Sequence, residues 1–162
     1  RGVGGNTTHD GLHRMSTEIL PLLPATVLIE FGFNDAVLFP NRLRERNAPP
    51  VYRANLEEII AIIRKHGGSP VLLTNHPIRR EFHSTLYDPE AYKKSAPLYN
   101  EIVREVAAAH QVPLIDLETA MREAGVPEED LLAEDGLHLS MGGNTIYARH
   151  VLAGLKPILG LC

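Results

Sequence analysis

The chain has 162 residues, of which 44% are hydrophobic and 22% charged, the balance of an ordinary globular protein rather than a disordered one. That length predicts one domain over 1–162 with a sizeable core. A formal net charge of −4 argues against a nucleic-acid or anionic-membrane partner, because either needs a basic face.

No apolar run approaches the roughly 18–20 residues that span a bilayer, so no transmembrane segment is expected. The lone cysteine, Cys162, excludes an internal disulfide and a cysteine-rich metal site. The chain opens at Arg1 without an initiator methionine or a signal peptide, so compartment is not readable from it.

In chain order, the first feature is Gly2-Val3-Gly4-Gly5-Asn6-Thr7-Thr8, glycines that run into a helix predicted over 8–20, with Leu12, Met15 and Ile19 as its buried stripe. Ala25 to Phe31 reads as a strand, set off by Pro21 and Pro24 and ended by Gly32. Tyr52, Leu56, Ile59, Ile60 and Ile63 recur at helical spacing until Gly67-Gly68 stops them. Pro70 to Thr74 is a second strand. Tyr92, Leu98, Tyr99, Ile102, Val103 and Val106 mark the next helix, and Val112 to Leu117 the third strand. A short helical stretch over 117–124 follows, and Met141 to Leu159 closes the chain as a helix.

All three strands are nearly continuous apolar runs, which suits parallel strands covered on both faces. Their alternation with helices predicts a three-layer α/β domain, whose functional residues gather at the carboxyl ends of the strands. Three clusters deserve a chemical reading. Asp135-Gly136-Leu137-His138 places a carboxylate where it can reach Nδ1 of an imidazole, the base-and-orienter part of a nucleophilic triad. Its plain alternative is a helix cap beside a surface histidine. Gly32-Phe33-Asn34-Asp35 puts an asparagine amide at a strand end, where it can donate to an oxyanion, with Asp35 bonding backbone N–H groups to hold the loop. Its plain alternative is a turn. The glycines of 2–5 expose backbone N–H groups that suit an oxyanion hole or a phosphate cradle, though the lysine of a phosphate-binding loop is absent.

Together these clusters resemble the SGNH (GDSL-like) hydrolase family along essentially the whole chain. Gly4-Gly5-Asn6-Thr7 is similar to its second block, Gly32-Phe33-Asn34-Asp35 to its third, and Asp135-Gly136-Leu137-His138 to its fifth. The resemblance implies a flavodoxin-like three-layer α/β/α sandwich with a mainly parallel sheet. It also implies hydrolysis of a small-molecule carboxylic ester through a serine acyl-enzyme, without a metal or organic cofactor. Carried onto this sequence, it makes Asp135 and His138 triad members and Gly5 and Asn34 oxyanion donors.

The family's first block, G-D-S on the first strand, has no counterpart here. Ser16, Ser69, Ser84, Ser95 and Ser140 are the available serines, and none occupies a suitable position. The expectation is therefore an upstream segment that carries both the first strand and the nucleophile, without which this chain is inactive. A domain that has lost its nucleophile and only holds acyl ligands is the alternative; a flavodoxin-like nucleotide or phosphate binder using Gly2 to Thr8 is a more distant one.

The remaining candidates have simpler readings. His9 and His13 stand four apart on a helix without a third ligand and read as exposed. His76 and His83, around Arg79, Arg80 and Glu81, read as a solvated loop that in a hydrolase would rim the pocket. Phe31, Phe33, Phe39 and Phe82 read as core or rim packing. The runs Arg42-Leu43-Arg44-Glu45-Arg46 and Glu128-Glu129-Asp130 read as solvated faces. Oligomeric state is left open, and 77–97 reads as an insertion.

Overall fold

In the computed structural model, residues 1–39, 45–79, 84 and 88–161 are described. Three parallel strands, β1 (Thr26–Ile29), β2 (Ser69–Leu73) and β3 (Leu114–Ile115), form a sheet in the order β1-β2-β3. The register pairs Val27 with Pro70 and Leu72 with Leu114. β1 and β3 are shorter than their apolar runs, and β2 begins and ends one residue earlier than its run.

The helices are α1 (Thr8–Arg14), α2 (Pro49–Lys65), α3 (Pro89–His110), α4 (Leu117–Glu123), α5 (Glu128–Leu131) and α6 (Met141–Ile158). The stretch expected as one helix over 8–20 loosens after Arg14 into a π turn over Met15–Ile19 and a 3-10 turn over Leu20–Leu22, as Pro21 and Pro24 approach. The insertion read over 77–97 is shorter than expected: Asp88 caps α3 by accepting from the N–H groups of Glu90 and Ala91. Glu128-Glu129-Asp130, expected as a solvated face, lies in α5 with Glu129 and Asp130 exposed, while Leu131 of the same helix is buried.

One face of the sheet, with Ile29 and Leu72, packs on Leu56, Ile59 and Ile63 of α2 and on Tyr99, Val103 and Val106 of α3. Val71, Leu73 and Ile115 face the other way, toward Tyr147, Val151 and Leu155 of α6. Helices on both faces of a parallel sheet make the expected α/β/α arrangement. Within α3 the buried face includes Ala96 and Asn100, while Leu98, expected in the stripe, is 53% exposed.

β1 is the terminal strand, so its outer edge has no partner among the described residues. Along that edge runs an apolar groove of about 650 Å³, walled by Met15, Leu28, Glu30, Tyr147 and Val151. Its lining includes Gly2 to Asn6 and, beyond the carboxyl end of β1, Gly32 to Asn34.

Candidate active site

The loop after β1 is held from several sides. Tyr52 Oη and Asn75 Nδ2 both donate to the Phe31 carbonyl, at 2.8 and 2.9 Å. Gly32 lies at φ 131°, and a Cβ there would come within 2.6 Å of Asn75 Nδ2. Only glycine meets both conditions.

Asp35 is fully buried, and its partners are more remote than a local turn provides. Its Oδ1 accepts from Thr8 N at 3.0 Å, Thr8 Oγ1 at 2.6 Å and Asn47 Nδ2 at 2.8 Å. One carboxylate thus joins the loop after β1 to the start of α1. Neither Asn47 nor this long-range contact was indicated by spacing.

The glycine stretch is shaped by its own cap. Thr7 and Asp10 form a capping box at the start of α1, with Thr7 N donating to Asp10 Oδ2 at 2.8 Å. The backbone and hydroxyl bonds from Thr7 hold the Asp10 carboxyl below its ordinary value, although burial opposes them. A carboxylate thus sits at the helix start, where it would meet a bound phosphate with like charge.

Arg46, expected on a solvated face, donates to the Gly5 carbonyl at 2.9 Å and approaches Asp10 at 3.7 Å. Gly5 has φ 78°, a left-handed conformation that glycine adopts without strain. Gly5 and Asn34 both line the groove, and the Asn34 amide has no partner among the described residues.

Asp135 and His138 meet in the loop before α6. Asp135 Oδ2 lies 2.5 Å from His138 Nδ1, and Oδ1 accepts from the amides of Leu137 and His138, each at 2.9 Å. Burial works against the Asp135 charge, but the His138 ring and these amides prevail and bring its pKa down to about 2. An ionised carboxylate on Nδ1 fixes the tautomer that leaves Nε2 as a proton acceptor. The pair is open to solvent, and neither residue lines the groove that Gly5 and Asn34 share.

Segment 75–79 lies between these two halves. The Phe33 ring meets His76 edge-on, with centroids 4.9 Å apart, and Arg79 N donates to the Gly136 carbonyl at 2.8 Å. His76 is half-buried rather than part of a solvated loop; burial lowers its pKa, the Pro77 carbonyl opposes this, and His138 adds to the lowering. Behind the segment, Asn75 N donates to Asn100 Oδ1 at 2.9 Å, and Asn100 Nδ2 donates to Glu118 at 2.9 Å. Burial raises the Glu30 carboxyl above its ordinary value, against a hydrogen bond that Tyr147 donates at 2.5 Å.

The serines divide clearly. Ser140 caps α6, accepting from Gly143 N at 2.9 Å and donating to the Asp130 carbonyl at 2.5 Å. Ser95 is buried and donates to the Ala36 carbonyl at 2.9 Å. Ser69 begins β2 and Ser16 lies in the π turn. His9 and His13 are exposed on α1, and no group of three or more metal-ligating side chains occurs among the described residues. Phe31, Phe33 and Phe39 are partly buried against the main core. Residues 42–44, Arg80, Glu81, Phe82, His83 and Cys162 lie outside the described residues. No helix among the described residues is long and apolar enough to cross a membrane.

The fold and these loops define an α/β hydrolytic scaffold of the SGNH type. Residues 1–146 match the GDSL-like lipase/acylhydrolase family, and the chain belongs to it. An uncharacterized lipoprotein of Bacillus subtilis, YqeF, is 33% identical over 96% of this chain and 70% of its own length. A GDSL esterase/lipase of Arabidopsis thaliana is 31% identical, over 82% of this chain and 59% of the relative. An arylesterase of Vibrio mimicus is 28% identical, over 84% and 58%. The chain therefore spans between about three fifths and seven tenths of these relatives' lengths.

Among solved structures, a lipase/acylhydrolase from Enterococcus faecalis superposes with a TM-score of 0.77 at 32% identity, covering 94% of this chain and 72% of that one. An acetylxylan esterase from Geobacillus stearothermophilus, at 23% identity and a TM-score of 0.76 over 96% and 70% of the two chains, shares the fold.

Proposed function

We propose that this chain supplies the general base and the oxyanion donors of a serine ester hydrolase. The observation that carries the reading is the contact of Asp135 with His138 Nδ1 at the carboxyl edge of a parallel sheet, which leaves Nε2 free to take a proton. The family to which the chain belongs supports it.

The nucleophilic serine stands, on this reading, on a strand that pairs with the open edge of β1 and fills the groove beside it. An unpaired edge next to apolar walls exposes backbone donors and hydrophobic surface that a strand would satisfy together. Residues 1–162 then form most of one domain whose sheet that strand completes.

In the reaction, the serine oxygen attacks the ester carbonyl while His138 Nε2 accepts its proton. The Gly5 N–H and the Asn34 amide stabilise the resulting oxyanion. Collapse breaks the bond to the alcohol oxygen, which receives the proton from His138. Water then repeats the sequence and releases the acid. Every step uses side chains and backbone, so no cofactor enters.

The test is intact mass before and after a fluorophosphonate probe, on the protein at its full natural length. One adduct on a serine upstream of Arg1, absent after His138→Ala, is the expected result. No adduct on a folded protein overturns the reading in favour of a module that holds acyl ligands without turning them over.

A further inference from the structure

His76 lies three residues beyond β2, between the two halves of the site. On one side its ring packs edge-on against Phe33, at an interplanar angle of 87°, and Phe33 directly precedes Asn34. On the other side the same segment is fastened to the loop of Asp135 and His138. Arg79 N donates to the Gly136 carbonyl at 2.8 Å, and the Arg79 guanidinium donates to the Leu132 carbonyl at 3.3 Å.

The tautomer of His76 follows from its partner. Nδ1 lies 2.9 Å from the Pro77 carbonyl oxygen. A carbonyl oxygen only accepts, so Nδ1 carries the hydrogen, and the neutral ring keeps its lone pair on Nε2. Nε2 has no hydrogen bond among the described residues and is not among the buried unpaired atoms. Nε2 is therefore an accessible acceptor, open to a donor from solvent or substrate.

An ester group cannot be its partner, since ester oxygens offer lone pairs only, and a simple acyl chain has no donor. The alcohol half differs. His138 returns its proton to the departing oxygen, so that half must lie against the loop to which the His76 segment is fastened. We infer that His76 is a specificity-determining residue, whose Nε2 accepts a hydrogen bond from a free hydroxyl on the alcohol portion of the ester. The preferred substrates are then monoesters of diols and polyols, including partly acylated carbohydrates. This inference rests on the esterase reading above.

The experiment compares kcat/KM for 2-hydroxyethyl acetate and 2-methoxyethyl acetate, which differ in one hydrogen-bond donor, using the full-length protein. The ratio is expected to favour the hydroxyl ester by roughly tenfold or more in the wild type, and to fall to about one in His76→Leu. His76→Gln, which keeps an acceptor oxygen, recovers part of it. Turnover with a wild-type ratio near one, or a ratio that His76→Leu leaves unchanged, overturns the inference and spares the esterase reading. No turnover of either ester, with no fluorophosphonate adduct, overturns both. Because both variants remove a half-buried ring and can fail to fold, long-range 1H–15N correlation on the wild type provides a second check. It should show His76 protonated on Nδ1, and protonation on Nε2 alone overturns the inference.

Discussion

Asp135 divides its two oxygens, one to the His138 ring and one to two backbone amides, so the carboxylate is fixed in its own loop before it orients the imidazole. Replacing it by Asn keeps the shape and removes the charge. Asp135→Asn is expected to lower kcat by about 10²–10⁴, with little change in Tm because the pair is exposed. Steady-state kinetics beside thermal melting separate the two effects. On the proposed mechanism Asn34→Ala removes a donor to the oxyanion and should reduce kcat by about 10²–10³ while leaving KM nearly constant. Near-wild-type turnover in either variant contradicts the assignment. Gly32→Ala should act through stability, because a Cβ there meets Asn75 Nδ2 in a conformation strained for alanine; a loss of about 1–3 kcal/mol by denaturant unfolding is expected.

At the scale of elements, the site depends on how loops are tied to one another. Asp35 joins the loop after β1 to the N-terminus of α1, and Asn100 of α3 holds Asn75 at the end of β2. These bonds are buried, so losing one side leaves donors unsatisfied. Asp35→Ala should therefore destabilise the protein by about 2–4 kcal/mol by chemical unfolding, leaving the Thr8 and Asn47 donors without their acceptor. It should also raise hydrogen exchange in Gly5 to Thr8 more than in β2. Equal exchange in the variant and the wild type would show that the glycine loop holds its shape by the capping box alone.

For the molecule as a whole, acid stability is set by carboxylates held below their ordinary pKa. Burial opposes ionisation of Asp116, but Arg104, Thr119 and Thr74 outweigh it and bring the pKa to about 2. A group whose folded pKa lies below its unfolded value stabilises the fold above that unfolded value. Its contribution disappears as the pH falls through the folded pKa. The Asp116 contribution to Tm should thus be complete above the ordinary carboxylate value of 3.8 and fade as the pH falls toward 2. Asp116→Asn should lower the plateau and flatten the decline, since Arg104 then loses the carboxylate that accepts from its Nε and Nη2 at 2.9 Å. An unchanged slope in this variant would place the acid sensitivity elsewhere.

The sequence by itself determined the layers and the loops to which the proposed chemistry is assigned. Apolar runs and helical spacing located three strands and the main helices, because hydrophobic periodicity is a local property. Asp135 and His138 were legible for a similar reason, since three residues of chain suffice to bring their side chains together. Gly32 was legible as a strand end, but its necessity was not, because the clash that demands it comes from Asn75. Tertiary structure alone decided that Asp35 bonds Thr8 across 27 residues, that Arg46 holds the Gly5 carbonyl and that Asn100 supports Asn75. It also moved His76 from a solvated loop to a half-buried place between Phe33 and the His138 loop. Such contacts join residues remote in sequence, and no spacing rule records them, since their geometry exists only after the sheet has brought its carboxyl ends side by side.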